Sequence, residues 1–488
     1  MPGQLRRTKI LATLGPATDA PGALEALVAA GVDAVRINFS HGNRADHAAR
    51  VARVRAAAAA AGREVGILAD LQGPKIRIER FAEGRVSLAA GAPFALYART
   101  NAAPGDQTGV GVSYLGLIND VAAGDVLLLD DGLVSLQVDA IEGDTIRTTV
   151  INDGQLSDRK GLNRLGGGLS LDALTDKDRA DIRLAAELDV DFLAVSFCRS
   201  AADMAEARRL AREAGSSAHL VAKIERAEAI ERLTEIIDAS DVVMVARGDL
   251  GVEIGDAELP GLQKKIIRES LDRGRVVITA TQMLQSMVDS PIPTRAEVLD
   301  VANAVIDGTD TVMLSAETAA GSHPVKAVEA MVRICLGAER QFEHDTDFEK
   351  APRGLVHTDQ AIALATMYLT EHIKVRAILA LTESGGTAQH LSRFRSNAPI
   401  YGLSRHEGAR HRMALMRGVY PIDFDSGENP PRQAARRAVA ALFAHGALAE
   451  GDRVLITSGD HMGHLGTTNT LRLLGVGTNG EAEGLGTL

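Results

Sequence analysis

A chain of 488 residues is longer than one hydrophobic core can serve, so two or three domains are expected, and its 45% apolar residues suffice to build them. A net charge of −11 argues against general affinity for nucleic acid or anionic lipid, so any anionic ligand must be held by a local cluster of cations. Two cysteines, Cys198 and Cys335, are too few for a disulfide framework and read as inert core thiols; with no apolar run long enough to span a bilayer, a cytoplasmic protein is expected.

Residues 7–71 read as strand, helix, strand, helix, strand: RTKILATLG, GALEALVAAG, VDAVRINFS, an alanine-rich stretch ending at Gly62, and VGILAD. Polar residues follow the apolar runs: Arg36, Asn38 and Ser40 after the second strand, Asp70 after the third. From Gly73 to about Gly168 the texture changes to short alternating strands with turn signals such as Asp131-Gly132 and no convincing helix, which predicts an all-β insertion of hairpins. Its exit, RKGLNRLGGG, carries three consecutive glycines that read equally as a hinge or as an ordinary linker.

The βα alternation resumes at Leu171 and runs to about Gln341, with strands near 191, 218, 241, 275 and 311. Three strands before the insertion and five after it make eight, the number of a closed (β/α)8 barrel whose βα loops form the active face. The strand from Ala218 ends in Lys223 and Glu225, two residues apart and therefore on one face. The next breaks into Arg247, Gly248, Asp249, Leu250 and Gly251, setting a carboxylate and free backbone N–H groups where a strand ends. Thr281 follows the seventh strand, and Ser315 with Glu317 the eighth.

An acidic linker at 343–354 marks a boundary, and beyond it four apolar runs alternating with helical patterns predict a smaller α/β domain. The expected division is 1–72 and 171–342 for the barrel, 73–170 for the inserted β domain and 343–488 for the C-terminal domain. Two loops there, 382–387 (TESGGT) and 457–470, are rich in hydroxyls and glycine; the first leads into a helix, a ready anion site. No Gly-Lys dipeptide occurs, which excludes a P-loop, and the G-x-G-x-x-G match at 475–480 has no helix after it and is discounted.

Seven strings carry a family resemblance: NFSHG (38–42), LADLQGPKIR (68–77), KIER (223–226), MVARGDLGVE (244–253), TATQML (279–284), PTRAEVLDVANAVIDGTD (293–310) and MLSAET (313–318). Together they closely resemble pyruvate kinase of the bacterial type, from Arg7 almost to the C-terminus. The resemblance implies the architecture just described and phosphoryl transfer from phosphoenolpyruvate to ADP, with Mg2+ or Mn2+ held by Glu225 and Asp249. It implies that Lys223 and Arg36 meet the phosphoryl charge, and that the N–H groups of Gly248 and Asp249 with the Thr281 hydroxyl anchor the substrate carboxylate. Thr281 and Ser315 would hold water on the protonated face of the enolate; which group delivers the proton stays open.

By the same resemblance Asn38, His41, Arg77 and Lys160 line the nucleotide phosphates, and the protein is a homotetramer controlled through its third domain. The effector loop would comprise Thr382, Ser384, Gly385, Gly386 and Thr387. Glu383 inside it is expected to repel a bisphosphate and to favour a sugar monophosphate or AMP. One position departs from the best-known members, which require potassium: Lys75 stands where they carry glutamate, beside Asn38, Ser40, Asp70 and the carbonyl of Leu71. Potassium is therefore expected not to be required. Two other classes were weighed. A metal-dependent barrel lyase or aldolase would have no need of Lys160 and Arg77 on a lid, and a silent phosphometabolite sensor would not need Lys223, Glu225 and Asp249.

Overall fold

The structure is a computed structural model that describes residues 5–341, 357–394, 396–427, 430–460 and 466–485. The expected linker at 343–354 and the middle of the loop 457–470 lie outside the described residues. Eight parallel strands close into a barrel: β1 (Lys9–Thr13), β2 (Ala34–Asn38), β3 (Gly66–Asp70), β4 (Phe192–Val195), β5 (His219–Ile224), β6 (Val242–Ala246), β7 (Val276–Ala280) and β8 (Thr311–Leu314). Each pairs with its neighbours in sequence, and β8 closes on β1 from Lys9↔Thr311 to Ala12↔Leu314. The helices between them start and stop where local chemistry dictates. Arg44–Ala61 begins at Asn43, whose side chain accepts from the N–H groups of Ala45 and Asp46, and ends at Gly62 in the left-handed conformation. Thr175 and Thr294 cap their helices in the same reciprocal way with Asp178 and Glu297.

Between β3 and β4 the chain forms the inserted domain. Its six-stranded sheet runs in the order Leu162–Arg164, Val126–Leu129, Val134–Glu142, Thr145–Val150, Pro93–Tyr97, Gly109–Gly111, beside a two-stranded ribbon of Gly154–Ser157 and Arg85–Leu88. The expected meander is present. It also holds one four-residue helix, Leu117–Asp120, too short to leave a period in the sequence. The exit glycines Gly166, Gly167 and Gly168 all have positive φ, so each takes a conformation that a side chain would strain.

The C-terminal domain is a six-stranded sheet ordered Val419–Asp423, Ile400–Ser404, Ala377–Leu381, Arg453–Gly459, Thr468–Val476, Ala482–Glu483. The first four are parallel and the last two antiparallel. Here the sequence reading is corrected: residues 468–470, assigned to a hydroxyl-rich loop, begin a nine-residue strand that bonds Arg453–Gly459.

Side-chain alternation divides the barrel core in two. Ile10, Val35, Ile67, Leu193, Leu220, Val243, Val277 and Val312 face the surrounding helices. Leu11, Ala34, Leu68, Phe192, Val221, Met244 and Ile278 face the axis, and their cluster continues without a break into Met367, Ile378, Leu391, Met413, Leu415 and Val419 of the C-terminal domain. Polar contacts seal this junction: Arg393 pairs with Asp310, the Thr311 hydroxyl donates to the Leu415 carbonyl, and His411 lies 3.0 Å from Asp191. Both cysteines are buried, as expected, and burial pushes both thiols up, that of Cys335 to about 12.

Candidate active site

The period of two that sends Ala34, Leu68 and Val221 to the barrel axis also sends Arg36, Asp70 and Lys223 there, one step nearer the C-terminal mouth. These three meet. Arg36 Nε donates to Asp70 Oδ2 at 2.6 Å, and the Lys223 ammonium lies 3.3 Å from Asp70 Oδ1 and 2.9 Å from Glu225 Oε1. Arg36, Asn38, Ser40, His41, Asp70, Leu71, Lys75, Arg77, Lys223, Glu225 and Asp249 all line one pocket at the mouth. Burial alone would push Asp70 up and Lys223 down. The charges of Lys223 and Arg36 nevertheless hold Asp70 below the usual carboxylate range, and Asp70 with Glu225 hold Lys223 above its usual value. Glu225 goes the other way: burial raises its carboxyl, the neighbouring charge of Asp249 adds to the rise, and Lys223 opposes it only in part.

Asp249 sits in the first turn of the helix Arg247–Ile254, which starts directly after β6. The Gly248 N–H donates to the Thr281 hydroxyl at 2.8 Å, so the two parts of the expected anchor are in contact. Thr281 and Gln282 both have positive φ, a costly conformation for non-glycine residues. Buried Arg247 holds it in place: its guanidinium donates to the carbonyls of Ala280 and Thr281 and pairs with Asp300. Ser315 donates its N–H to Glu317, which also accepts from Leu284 N–H. Glu317 is fully buried. Among the described residues the Ser315 hydroxyl is buried without a hydrogen-bond partner, a place suited to a bound water.

Lys75 does not point to solvent. Its ammonium is 2.8 Å from Asp249 Oδ1. Lys160, by contrast, does not line the pocket: it pairs with Asp130 inside the inserted domain at 2.9 Å. Arg77 reaches the rim but donates to the carbonyl of Arg159. In the C-terminal domain, Gly385 N–H donates to the Thr382 hydroxyl, and Thr387 is buried with its hydroxyl 2.7 Å from that of Thr468, which ties the two hydroxyl-rich segments together. Glu383 lies 2.5 Å from His406 Nε2 and 3.2 Å from Arg405 Nε, so the repulsion expected from it is offset by two basic neighbours.

Sequence reasoning passed over Ser196. Its hydroxyl lies 2.7 Å from the Lys223 ammonium and donates to the Leu71 carbonyl at 2.8 Å. The signal was the one used elsewhere, a polar residue closing an apolar strand, and it applied equally to VSF after β4. Phe197, next along, has φ +57 and donates its N–H to Glu225 Oε2 at 2.8 Å, which fixes the second oxygen of that carboxylate.

Glu253, on the same helix as Asp249, is buried. It accepts from Ala227 N–H at 3.0 Å and Asn163 Nδ2 at 3.4 Å, with Arg226 Nε at 3.7 Å. Burial lifts its carboxyl to about 7 although Arg226 pulls it down. A folded value above the ordinary one means that charging this group opposes folding: its stabilising contribution is present below about pH 4.5 and lost as pH rises through 7. Glu253→Gln, which never charges, should therefore gain thermal stability relative to the unmodified chain on going from pH 5 to pH 8. The same difference in melting temperature at both pH values would refute this.

Comparison with known proteins agrees along the whole chain. Residues 5–328 match the family model of the pyruvate kinase barrel domain, and residues 360–474 that of the pyruvate kinase alpha/beta domain. The chain is 53% identical over 480 residues to pyruvate kinase II of Salmonella typhimurium, covering 98% of this chain and 100% of that one. It is 50% identical over 463 residues to a pyruvate kinase of Haemophilus influenzae, covering 94% and 97%. Against a pyruvate kinase of Geobacillus stearothermophilus it is 41% identical over 473 residues, covering 96% and 80%.

Proposed function

The chain belongs to the pyruvate kinase family, a family of phosphotransferases, and from that premise we propose how its own residues act on phosphoenolpyruvate and ADP. The bond from the phosphorus to the enol oxygen breaks, a bond to the terminal oxygen of ADP forms, and the enolate left behind takes a proton to give pyruvate. The observation that carries the reading is the convergence of Arg36, Lys223, Glu225 and Asp249 on one pocket at the barrel mouth. Lys223 and Arg36 bring two cations to the oxygens of the phosphoryl group, where charge spreads in a loose transition state. The first-turn N–H groups of Gly248 and Asp249, with Thr281, hold the substrate carboxylate, and Arg247 keeps Thr281 and Gln282 in their strained conformation.

Glu225 and Asp249 fit a divalent cation. They offer hard oxygens, and beside the burial that chiefly raises Glu225, the charge of Asp249 adds a repulsion that a dication would relieve. Among the described residues no group of three or more His, Cys, Asp or Glu is placed to hold a metal, which suits Mg2+ or Mn2+ completed by substrate oxygens and water better than a closed cage. Such an ion supplies neutralisation of the phosphoryl charge. Asn38 and His41 stand on the rim for nucleotide phosphates. Arg77 and Lys160 would join them by leaving the Arg159 carbonyl and Asp130 as the inserted domain closes as a lid. Ser315 keeps a water beside the enolate.

Domain limits of 1–72, 73–170, 171–342 and 343–488 are supported by the sheets, since among the described residues no strand crosses from one part to the next. A homotetramer is what the family resemblance implies, and the exposed apolar side chains Ile292 and Leu299 on the barrel and Leu473 on the C-terminal domain are compatible with contacts between copies. A cytoplasmic place agrees with the absence, among the described residues, of any helix long and apolar enough to cross a membrane.

An assay with phosphoenolpyruvate, ADP and Mg2+, coupled to pyruvate and ATP detection, tests the whole reading; no turnover with a folded protein would overturn it. For control by a phosphorylated activator, a sugar monophosphate or AMP, the exposed Ser384 is a better probe than the buried Thr387. Ser384→Glu should abolish activation while basal turnover stays within about twofold, because it adds a charge to the loop without entering the core. An undiminished response to the activators tried would remove the loop from consideration.

A further inference from the structure

Lys75 lies on the segment that enters the lid, and Gly161 on the segment that leaves it; the two segments bond to each other through Leu162 N–H to Ile76 O and Ile78 N–H to Lys160 O, around an isolated bridge of Arg77 and Gly161. The Lys75 side chain crosses between them: a Cβ built on Gly161 would come 3.1 Å from Lys75 Cε. Its ammonium then reaches out of the hinge to Asp249 Oδ1 at 2.8 Å, on the first turn of a barrel helix. One ion pair thus ties both segments of the lid hinge to a carboxylate of the barrel. The partners are 25% and 22% exposed, so water screens them only in part.

An ammonium and a dication compete for that carboxylate. At ~4 Å and an effective dielectric of ~20, a +1 and a +2 charge repel by several kcal/mol. The wall of the same pocket also carries the Asn38 amide, the Ser40 hydroxyl and the Asp70 carboxylate, the last already paired with Arg36 and Lys223. We infer that Lys75 is a metal-displaced latch: it holds Asp249 in the free enzyme, and it moves to the wall of Asn38, Ser40 and Asp70 when a divalent cation takes that carboxylate. The inference rests on the reading of Glu225 and Asp249 as the metal carboxylates. It has two consequences. Metal binding to the free enzyme must break the pair, and the lid hinge loses its tie to the barrel when the metal arrives, before the nucleotide does.

The test uses the full chain without substrates. Mn2+ binding is followed by electron paramagnetic resonance for the unmodified enzyme, Lys75→Met, Asp249→Asn and Glu225→Gln. Lys75→Met should bind Mn2+ about tenfold more tightly, since its competitor is gone; unchanged or weaker binding overturns the latch. Asp249→Asn and Glu225→Gln should bind it more weakly. If both bind Mn2+ as the unmodified enzyme does, the metal reading itself fails and takes the inference with it, so the two failures are read on different variants. Hydrogen exchange gives an independent measure. Mg2+ should speed exchange at 74–78 and 159–163 several-fold in the unmodified enzyme and leave Lys75→Met unaffected, whereas an equal response in both overturns the inference.

Discussion

Replacing Lys223 with methionine is expected to lower turnover by about three powers of ten or more, roughly 4 kcal/mol of transition-state stabilisation, while the Michaelis constant for phosphoenolpyruvate changes little. The ammonium is buried, yet Asp70 and Glu225 keep its affinity for a proton above that of an ordinary lysine, so it stays charged throughout the neutral range. A fixed, buried charge acts most strongly on the phosphoryl group in flight, where negative charge is spread and the bond to carbon-bound oxygen is breaking. Ground-state binding has other hands, Arg36 and the first turn at Gly248. The substitution also leaves two carboxylates short of a partner, so melting temperature must be recorded beside the kinetics; Arg36 remains on Asp70 to limit the damage. A loss confined to the Michaelis constant, with turnover intact, would refute the role.

Activity with Mg2+ is expected to be nearly the same in potassium and in tetramethylammonium at matched ionic strength, and Lys75→Glu should acquire a many-fold stimulation by potassium. Two monovalent cations ~4 Å apart at an effective dielectric of ~20 repel by about 4 kcal/mol, so a tethered ammonium excludes a free ion from the same wall. Lys75 shares the pocket with Asn38, Ser40, Asp70 and Leu71, which is what such exclusion requires. Strong potassium stimulation of the unmodified enzyme would end the idea. The comparison in Lys75→Glu is the sharper one, because it asks a single side chain to exchange a built-in cation for a recruited one.

Much of the site was legible because a strand has a period of two. Once Ala34, Leu68 and Val221 are read as facing inward, Arg36, Asp70 and Lys223 must follow, and the eightfold alternation says that they meet. What could not be read depends on contacts between distant segments. Arg247 acts by holding carbonyls 33 and 34 residues away, a role that no local pattern announces. The partners of Glu383 lie at 405 and 406, on the loop after the neighbouring strand, so its charge looked unopposed in sequence. The strand Thr468–Val476 was missed because it starts with hydroxyls, and its burial shows no clean alternation. Ser196 was hidden differently: it was readable by the rule already in use, but VSF looks like more strand.

The barrel and the C-terminal domain are ordinarily spoken of as separate parts, one for chemistry and one for control. Here the side chains on the barrel axis run into Met413, Leu415 and Val419 without an intervening polar layer, so the far end of the barrel has no floor of its own. An engineer who exchanges the C-terminal domain for that of a relative therefore replaces the underside of the catalytic scaffold as well. A working graft would have to carry complementary partners for Leu11, Phe192, Val221 and Ile278. Selection acts under the same constraint: the sequence of the C-terminal domain drifts most freely on the surfaces that turn away from that shared core.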